Sequence, residues 1–303
     1  MSTDLSRQQA ELRQLAAERR AVILVHNYQR PEVQEAGDFV GDSLELSRTA
    51  AATDAEVILF CGVHFMAETA KILSPQKTVL MPDARAGCPM ADMVTPEALR
   101  ALKAEHPDAV VVAYVNTSAE VKAEADVCCT SANAPEVVAR VPAEREIIFV
   151  PDQHLGDWVQ RQTGRRMVLW PGYCPTHALI QPEDIAARRE EHPDAKVMAH
   201  PECSRAVVDL ADVVTSTSGM LRYPGTDDAP VYIVATEVGL LTGLRSRYPD
   251  RVFVPATEYA VCANMKLTTL ESAIAALRDG ANEVTVDPAV REKALRAVRR
   301  MVE

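Results

Sequence analysis

Three cysteines, Cys88, Cys174 and Cys262, each stand just beyond an apolar strand-like run and recur at intervals of 86 and 88 residues. That spacing is too wide for a local metal knuckle, so any joint chemistry depends on the fold bringing them together. The chain around them repeats at the same period, and a period this long marks repeated domains rather than a solenoid. Three similar units packed about a shared pseudo-threefold axis would bring the three loop cysteines together near that axis. Converging thiolates could hold zinc, or three corners of a 4Fe-4S cluster whose fourth iron stays open. Three soft thiolates with no His in ligand spacing favour the cluster, because catalytic zinc more often takes imidazole among its ligands. An open iron acts as a Lewis acid toward a carboxylate or hydroxyl oxygen, the role a metal-assisted dehydration needs. Cys61 and the Cys128-Cys129 pair read as core residues of strands, and Cys203 has no counterpart in the other units.

Polar residues gather where other apolar runs end. His26 and Tyr28 close the first such run, and His200 with Glu202 closes its counterpart. A His beside a carboxylate suits proton transfer, its unperturbed pKa of about 6.5 lying near working pH. His64, His106, His154 and His192 fall on helices or in turns and read as structural. His177 follows Cys174 by three residues and reads as a neighbour of the metal site rather than a ligand. Thr130-Ser131-Ala132-Asn133 and Ser216-Thr217-Ser218-Gly219 sit where a strand turns into a helix, and Gly41-Asp42-Ser43 is a third turn of this kind. Hydroxyls and free N–H groups there can bind carboxylate or phosphate without Lys or Arg, although each is also an ordinary N-cap.

The elements that must position these residues are short apolar strands alternating with helices. First strands are read at 22–28, 110–116 and 196–202. Second strands are read behind or at an acidic residue, beginning at Glu56, Asp126 and Asp212, and third strands at 78–83, 147–152 and 231–237. Fourth strands at 167–170 and 252–254 lead to Cys174 and Cys262, while the first unit reads as lacking one. This is the pattern of parallel sheets covered on both faces, whose ligands lie beyond the carboxyl ends of the strands. The expected fold is therefore three similar three-layer α/β/α domains around a pseudo-threefold axis, with the active site at their junction. Their boundaries are 21–108, 109–195 and 196–265, and terminal helical segments 1–20 and 266–303 pack on the first unit. The 303 residues carry 32 Lys+Arg against 43 Asp+Glu, a net charge of −11, and no basic run, which argues against nucleic-acid or anionic-membrane partners. No apolar stretch has the length of a membrane span or signal peptide, so a cytoplasmic location with reduced thiols is expected.

Taken together the motifs resemble the quinolinate synthase family of bacterial NAD biosynthesis, from about Val22 through Lys266. The matching stretches are His26-Asn27-Tyr28-Gln29, Gly41-Asp42-Ser43, Tyr114-Val115-Asn116-Thr117, Cys129-Thr130-Ser131-Ala132-Asn133, Pro171-Gly172-Tyr173-Cys174, His200-Pro201-Glu202-Cys203, Ser216-Thr217-Ser218 and Cys262-Ala263-Asn264-Met265-Lys266. The resemblance implies one 4Fe-4S cluster per chain on Cys88, Cys174 and Cys262. It also implies condensation of iminoaspartate with dihydroxyacetone phosphate to quinolinate, phosphate and water. By the same likeness His26, Ser43, Tyr114, Val115, Asn116, Ser131, His200, Pro201, Glu202 and Thr217 form the substrate site, with Tyr28, His200 and Glu202 moving protons. An aspartate oxidase or dehydrogenase must supply the unstable iminoaspartate. The alternative is an iron-sulfur dehydratase of another small hydroxy acid. Some members of the family carry a further cysteine motif near the C-terminus that forms a regulatory disulfide, which this chain, with no Cys after Cys262, lacks.

Overall fold

Strand β1 (Ala21–His26) buries Ile23 and Val25 on one face and Leu24 on the other, so it is stable only with apolar layers on both sides. The computed structural model, which describes residues 2–302, places it inside a sheet with β2 (Phe39–Gly41), β3 (Val57–Cys61) and β4 (Thr78–Leu80). The second sheet holds β5 (Val110–Tyr114), β6 (Val127–Cys129), β7 (Ile147–Val150) and β8 (Val168–Leu169). The third holds β9 (Lys196–Ala199), β10 (Val213–Val214), β11 (Val231–Ala235) and β12 (Val252–Pro255). All pairings in these sheets are parallel, and the orders are β2-β1-β3-β4, β6-β5-β7-β8 and β10-β9-β11-β12. One topology is thus built three times.

The first unit therefore differs from the sequence reading. The segments at Glu56 and Thr78 are its third and fourth strands, and its second is the three-residue β2 at the sheet edge, where Phe39 and Val40 are 39% and 37% exposed. So short and half-wet a strand leaves no apolar run to read. Its marker is an aspartate. Asp38, Asp126 and Asp212 each stand directly before the second strand of their sheet and accept the backbone N–H of Ile23, Val111 and Val197, each at 2.8 Å. Each returns its own N–H to the carbonyl of the same residue at 2.9–3.0 Å. This two-bond clasp pins the second strand to the first, and by it the repeat is complete, with a fourth strand ahead of every cysteine loop.

The outer face of the first sheet packs Ile23, Val25 and Leu59 against Leu12, Leu270, Ile274 and Leu277 of helices Ser2–Glu18 and Leu270–Asp279. A separate core covers Val197, Ala199, Ile233 and Ala235 of the third sheet. The remaining faces join in one continuous core that includes both sides of the second sheet. Helix Pro288–Val302 buries Ala294, Ala297, Val298 and Met301, an apolar stripe at helical spacing. It lies against helices Ser43–Ala52 and His64–Leu73 of the first unit and against helix Ala119–Glu124 and β6 of the second. Its end is tied to both, by Arg48 to the Val302 carbonyl at 3.1 Å and by Asn133 to the Met301 carbonyl at 3.0 Å. Among the described residues no helix is long and apolar enough to cross a membrane.

Candidate active site

The carboxyl ends of the central strands face one cavity of about 430 Å³. Strand register identifies the equivalent residues. Val25, Ala113 and Ala199 pair with the last residues of β3, β7 and β11, so His26, Tyr114 and His200 occupy one repeat position and Tyr28, Asn116 and Glu202 another. Ser43, Ser131 and Thr217 follow 17 residues after His26, Tyr114 and His200 in every unit. All nine line the cavity, as do the three cysteines. Val115 and Pro201, also expected in the substrate site, are buried behind its wall and are not among its lining residues.

The cysteine loops repeat in detail. His64, Gln153 and Val238 donate backbone N–H groups to the carbonyls of Ala86, Gly172 and Ala260 at 2.8, 2.8 and 3.0 Å, pinning each loop two residues before its cysteine. Each cysteine then opens a tight turn, Ala91–Met93, His177–Leu179 and Met265–Leu267, whose first N–H points back at the sulfur. Burial pushes the Cys88 thiol up to about 12, with negative charge at Glu202 and Cys262 adding to the effect. Burial and then Glu202 push Cys174 well above its ordinary value. Burial raises Cys262 as well, with Glu237 adding to it. Thiols so enclosed hold their protons unless a cation is present, while the turn N–H groups are placed to steady sulfur anions once one is. The donor set therefore fits a soft metal centre.

His177 is more deeply involved than its sequence position indicated. Its Nδ1 lies 3.1 Å from Cys174 Sγ and 2.8 Å from Glu202 Oε2, and the three donor atoms all fall within 4.8 Å of one another, a grouping able to hold a metal ion. Its Nε2 is 2.8 Å from Thr236 Oγ1, which is 2.7 Å from the Tyr28 hydroxyl, itself 3.1 Å from Thr217 Oγ1. Tyr114 donates to Glu202 Oε1 at 2.6 Å. Burial works to raise the Glu202 carboxyl, but His177, His200 and the Tyr114 hydroxyl outweigh it and hold the group below its usual range.

The expectation of histidines titrating near neutral pH fails for His26 and His200. Burial takes His26 down to about 3 with help from Lys266, and takes His200 to about 3 against the opposing charge of Glu202. Both imidazoles are neutral. Each accepts a backbone N–H on Nδ1, from Tyr28 at 3.1 Å and Glu202 at 3.3 Å, so each carries its proton on Nε2. For His200 that atom lies 3.2 Å from Ser131 Oγ. Burial also raises the Tyr28 and Tyr114 hydroxyls well above their usual range, keeping them protonated. Asn116 Oδ1 is buried with no partner. The cavity thus presents neutral donors, an open acceptor at Asn116 and the carboxyl groups of Asp42, Glu202 and Glu237, and no Lys or Arg is among its described lining residues.

Sequence reasoning missed Glu237 and Thr236. Glu237 lines the cavity and stands at the repeat position of Asp152 and Val63, two residues beyond the third strand. Its equivalence to Asp152 was the available signal.

Fold and site define an α/β protein of three repeated units that share one thiol-bearing polar cavity. The chain belongs to the quinolinate synthetase A protein family, whose model matches residues 10–303. It is 54% identical over 293 residues to the quinolinate synthase of Dehalococcoides mccartyi, covering 97% of each chain. It is 54% identical to that of Geobacter metallireducens over 96% of each chain, and 50% identical to that of Methanosarcina barkeri over 97% of this chain and 98% of the other. Among solved structures, the E-1-hydroxy-2-methyl-but-2-enyl-4-diphosphate reductase of Plasmodium falciparum matches at 9% identity and a TM-score of 0.35 over 91% of this chain and 94% of that one, too distant to bear on fold or function.

Proposed function

We propose that the chain makes quinolinate by condensing iminoaspartate with dihydroxyacetone phosphate, releasing phosphate and water, with a 4Fe-4S cluster held by Cys88, Cys174 and Cys262. The carrying observation is the convergence of three cysteines, from equivalent turns of three repeated units, on one cavity lined by neutral donors. When bound, the cluster would supply a Lewis-acidic iron with an open position for a substrate oxygen.

The protein's own residues bind, orient and move protons. His26 and His200 donate from Nε2 to carboxylate or carbonyl oxygens, so His200 acts as a donor rather than as a titrating base. Ser43, Ser131 and Thr217 offer hydroxyls to phosphate and carboxylate. Asn116 Oδ1, which lacks a donor, accepts from a substrate amine or hydroxyl. Glu202, held ionised, takes a proton from substrate carbon or nitrogen, and the Tyr114 hydroxyl at 2.6 Å steadies its charge. Tyr28, protonated and braced by Thr236 and Thr217, donates to a departing oxygen. An aspartate oxidase or dehydrogenase supplies the iminoaspartate.

The test is anaerobic purification, with iron, sulfide and the visible spectrum measured for the wild type and for Cys88→Ala, Cys174→Ala and Cys262→Ala. About four irons per chain, lost in each variant and kept in Cys61→Ala, support the cluster; their absence from reconstituted wild type ends that reading. Quinolinate and phosphate formed from iminoaspartate generated in the assay separate this function from dehydration of another small hydroxy acid. The Cys174, His177 and Glu202 grouping supports a second reading, a mononuclear site, which predicts one metal per chain and no sulfide.

A further inference from the structure

Glu237 is fully buried beside the cavity, yet all its bonds turn away from any ligand. Oε1 accepts the backbone N–H of Cys262 at 3.0 Å and pairs with Lys266 Nζ at 2.9 Å, while Oε2 accepts the N–H of Gly239 at 2.7 Å. Three donors on two oxygens satisfy a buried carboxylate and leave it no part in proton transfer. Lys266 Nζ donates in addition to the carbonyl of Tyr28, and the Arg30 guanidinium grips the Lys266 carbonyl at 2.8 and 3.0 Å. The Cys262 loop of the third unit is thereby strapped to the segment of the first unit that carries Tyr28. Gly239 sits so close to that segment that a Cβ there would stand 2.8 Å from Tyr28 backbone atoms.

Among the described residues neither of the other two loops carries a carboxylate–lysine strap: the Cys88 and Cys174 loops meet through Trp170 Nε1 and the Met93 carbonyl at 2.9 Å, and the Cys174 loop meets the third unit through His177 and Thr236 at 2.8 Å. At the equivalent position Val63 has no polar group. Asp152 spends Oδ1 on capping helix Gln153–Thr163, through His154 at 2.8 Å and Leu155 at 3.0 Å, and leaves Oδ2 unpaired.

We propose that Glu237 and Lys266 form a positioning pair for Cys262: the carboxylate sets the cysteine's backbone and the ammonium docks its loop on Tyr28, so the third thiol reaches its place only while the third unit is seated on the first. The proposal rests on the reading of Cys262 as a ligand. The strap also couples the metal site to Tyr28, since one ammonium holds both segments.

The test uses the full chain, purified anaerobically, as wild type, Glu237→Gln, Lys266→Met and Lys266→Arg. Gln must aim an NH₂ at a donor, and Met removes the ion pair, whereas Arg keeps it. Iron loss to a chelator, followed by decay of the cluster absorbance, is expected to be about tenfold faster in Glu237→Gln and Lys266→Met, the effect of one lost charge-assisted bond, and near wild type in Lys266→Arg. Maleimide labelling of metal-stripped chains, mapped by mass spectrometry, is expected to rise at Cys262 and to stay unchanged at Cys88 and Cys174. Wild-type iron loss in both disruptive variants, or labelling that rises equally at all three cysteines, overturns the proposal. If the wild type binds no iron, the cluster reading falls, and the labelling pattern alone still decides whether the pair positions Cys262.

Discussion

Replacing Gly172 with Ala asks whether the bond that pins each cysteine loop also sets the position of its sulfur. A Cβ on Gly172 would stand 2.3 Å from the Pro151 carbonyl oxygen, where ordinary contact begins at 3.4 Å, so the loop must retreat by about 1.1 Å. The Gln153 N–H bond to the Gly172 carbonyl, now 2.8 Å, would then open, and Cys174 would move with its loop. An opened backbone bond costs about 1 kcal/mol and forced overpacking about 1–3 kcal/mol, so the variant should lose about 2–4 kcal/mol while its sheets, which the loop only borders, still form. Metal ligation tolerates displacements of about 0.2 Å, so affinity for iron should fall by about tenfold or more. Iron per chain and thermal melting, measured under anaerobic conditions, read both effects. Gly87→Ala is the matched control, since its Cβ would come no nearer than 3.9 Å to the Arg85 carbonyl, and it should melt and bind iron as wild type does. Full iron in Gly172→Ala, or equal loss in the two variants, would refute the steric argument.

Tyr114→Phe removes the 2.6 Å donor to Glu202 and should lower kcat by about 10–100-fold with little change in melting, in steady-state assays; an unchanged kcat would show that the bond plays no part in turnover. Asn116→Ala deletes an oxygen that has no partner in the protein, so KM should rise while the melting temperature holds, and saturation kinetics equal to wild type would take Asn116 out of the site. The neutral imidazoles give a pH dependence. Each stays unprotonated in the fold down to about 3 but takes a proton near 6.5 when unfolded, so stability is full above about pH 6.5 and falls on acidification by up to about 1.4 kcal/mol per pH unit per His. His26→Asn should therefore flatten the drop in melting temperature between pH 7 and pH 5, and parallel curves would count against it. Asp38→Ala breaks the clasp on β2 and should cost about 1–3 kcal/mol by thermal melting, as should Asp126→Ala and Asp212→Ala; a cost in only one would mean that the clasps are not equivalent.

The parallel sheets were legible because strands buried on both faces must be apolar throughout, and the site was legible because such sheets present their polar ends on one side. Two things were not. Strand β2 lies half-exposed at a sheet edge and needs no apolar run, so Glu56 reads as the acidic marker that is in fact Asp38. The contacts of His177, Glu237 and Thr236 cross between units, from Thr236 to Tyr28 and from the Glu237 and Lys266 pair to the Tyr28 carbonyl, and depend on how the units dock, which no local pattern encodes. The protonation of His26 and His200 was misjudged for a related reason, since burial is a property of the assembled cavity.

Helix Pro288–Val302 fills the seam between the first and second sheets, yet it follows the third in the chain. The second sheet is complete at Leu169, and at about 5–20 residues per second a ribosome needs on the order of ten seconds more to deliver the wedge. Growth from the N-terminus therefore cannot finish this molecule unit by unit. For most of that interval, until residue 262 is made, the nascent chain carries Cys88 and Cys174 without Cys262, and the apolar seam stays open to its end. Biogenesis is thus a closing step, in which the last-made helix and the last-made cysteine loop join the molecule together and the three cysteines share their cavity only after both.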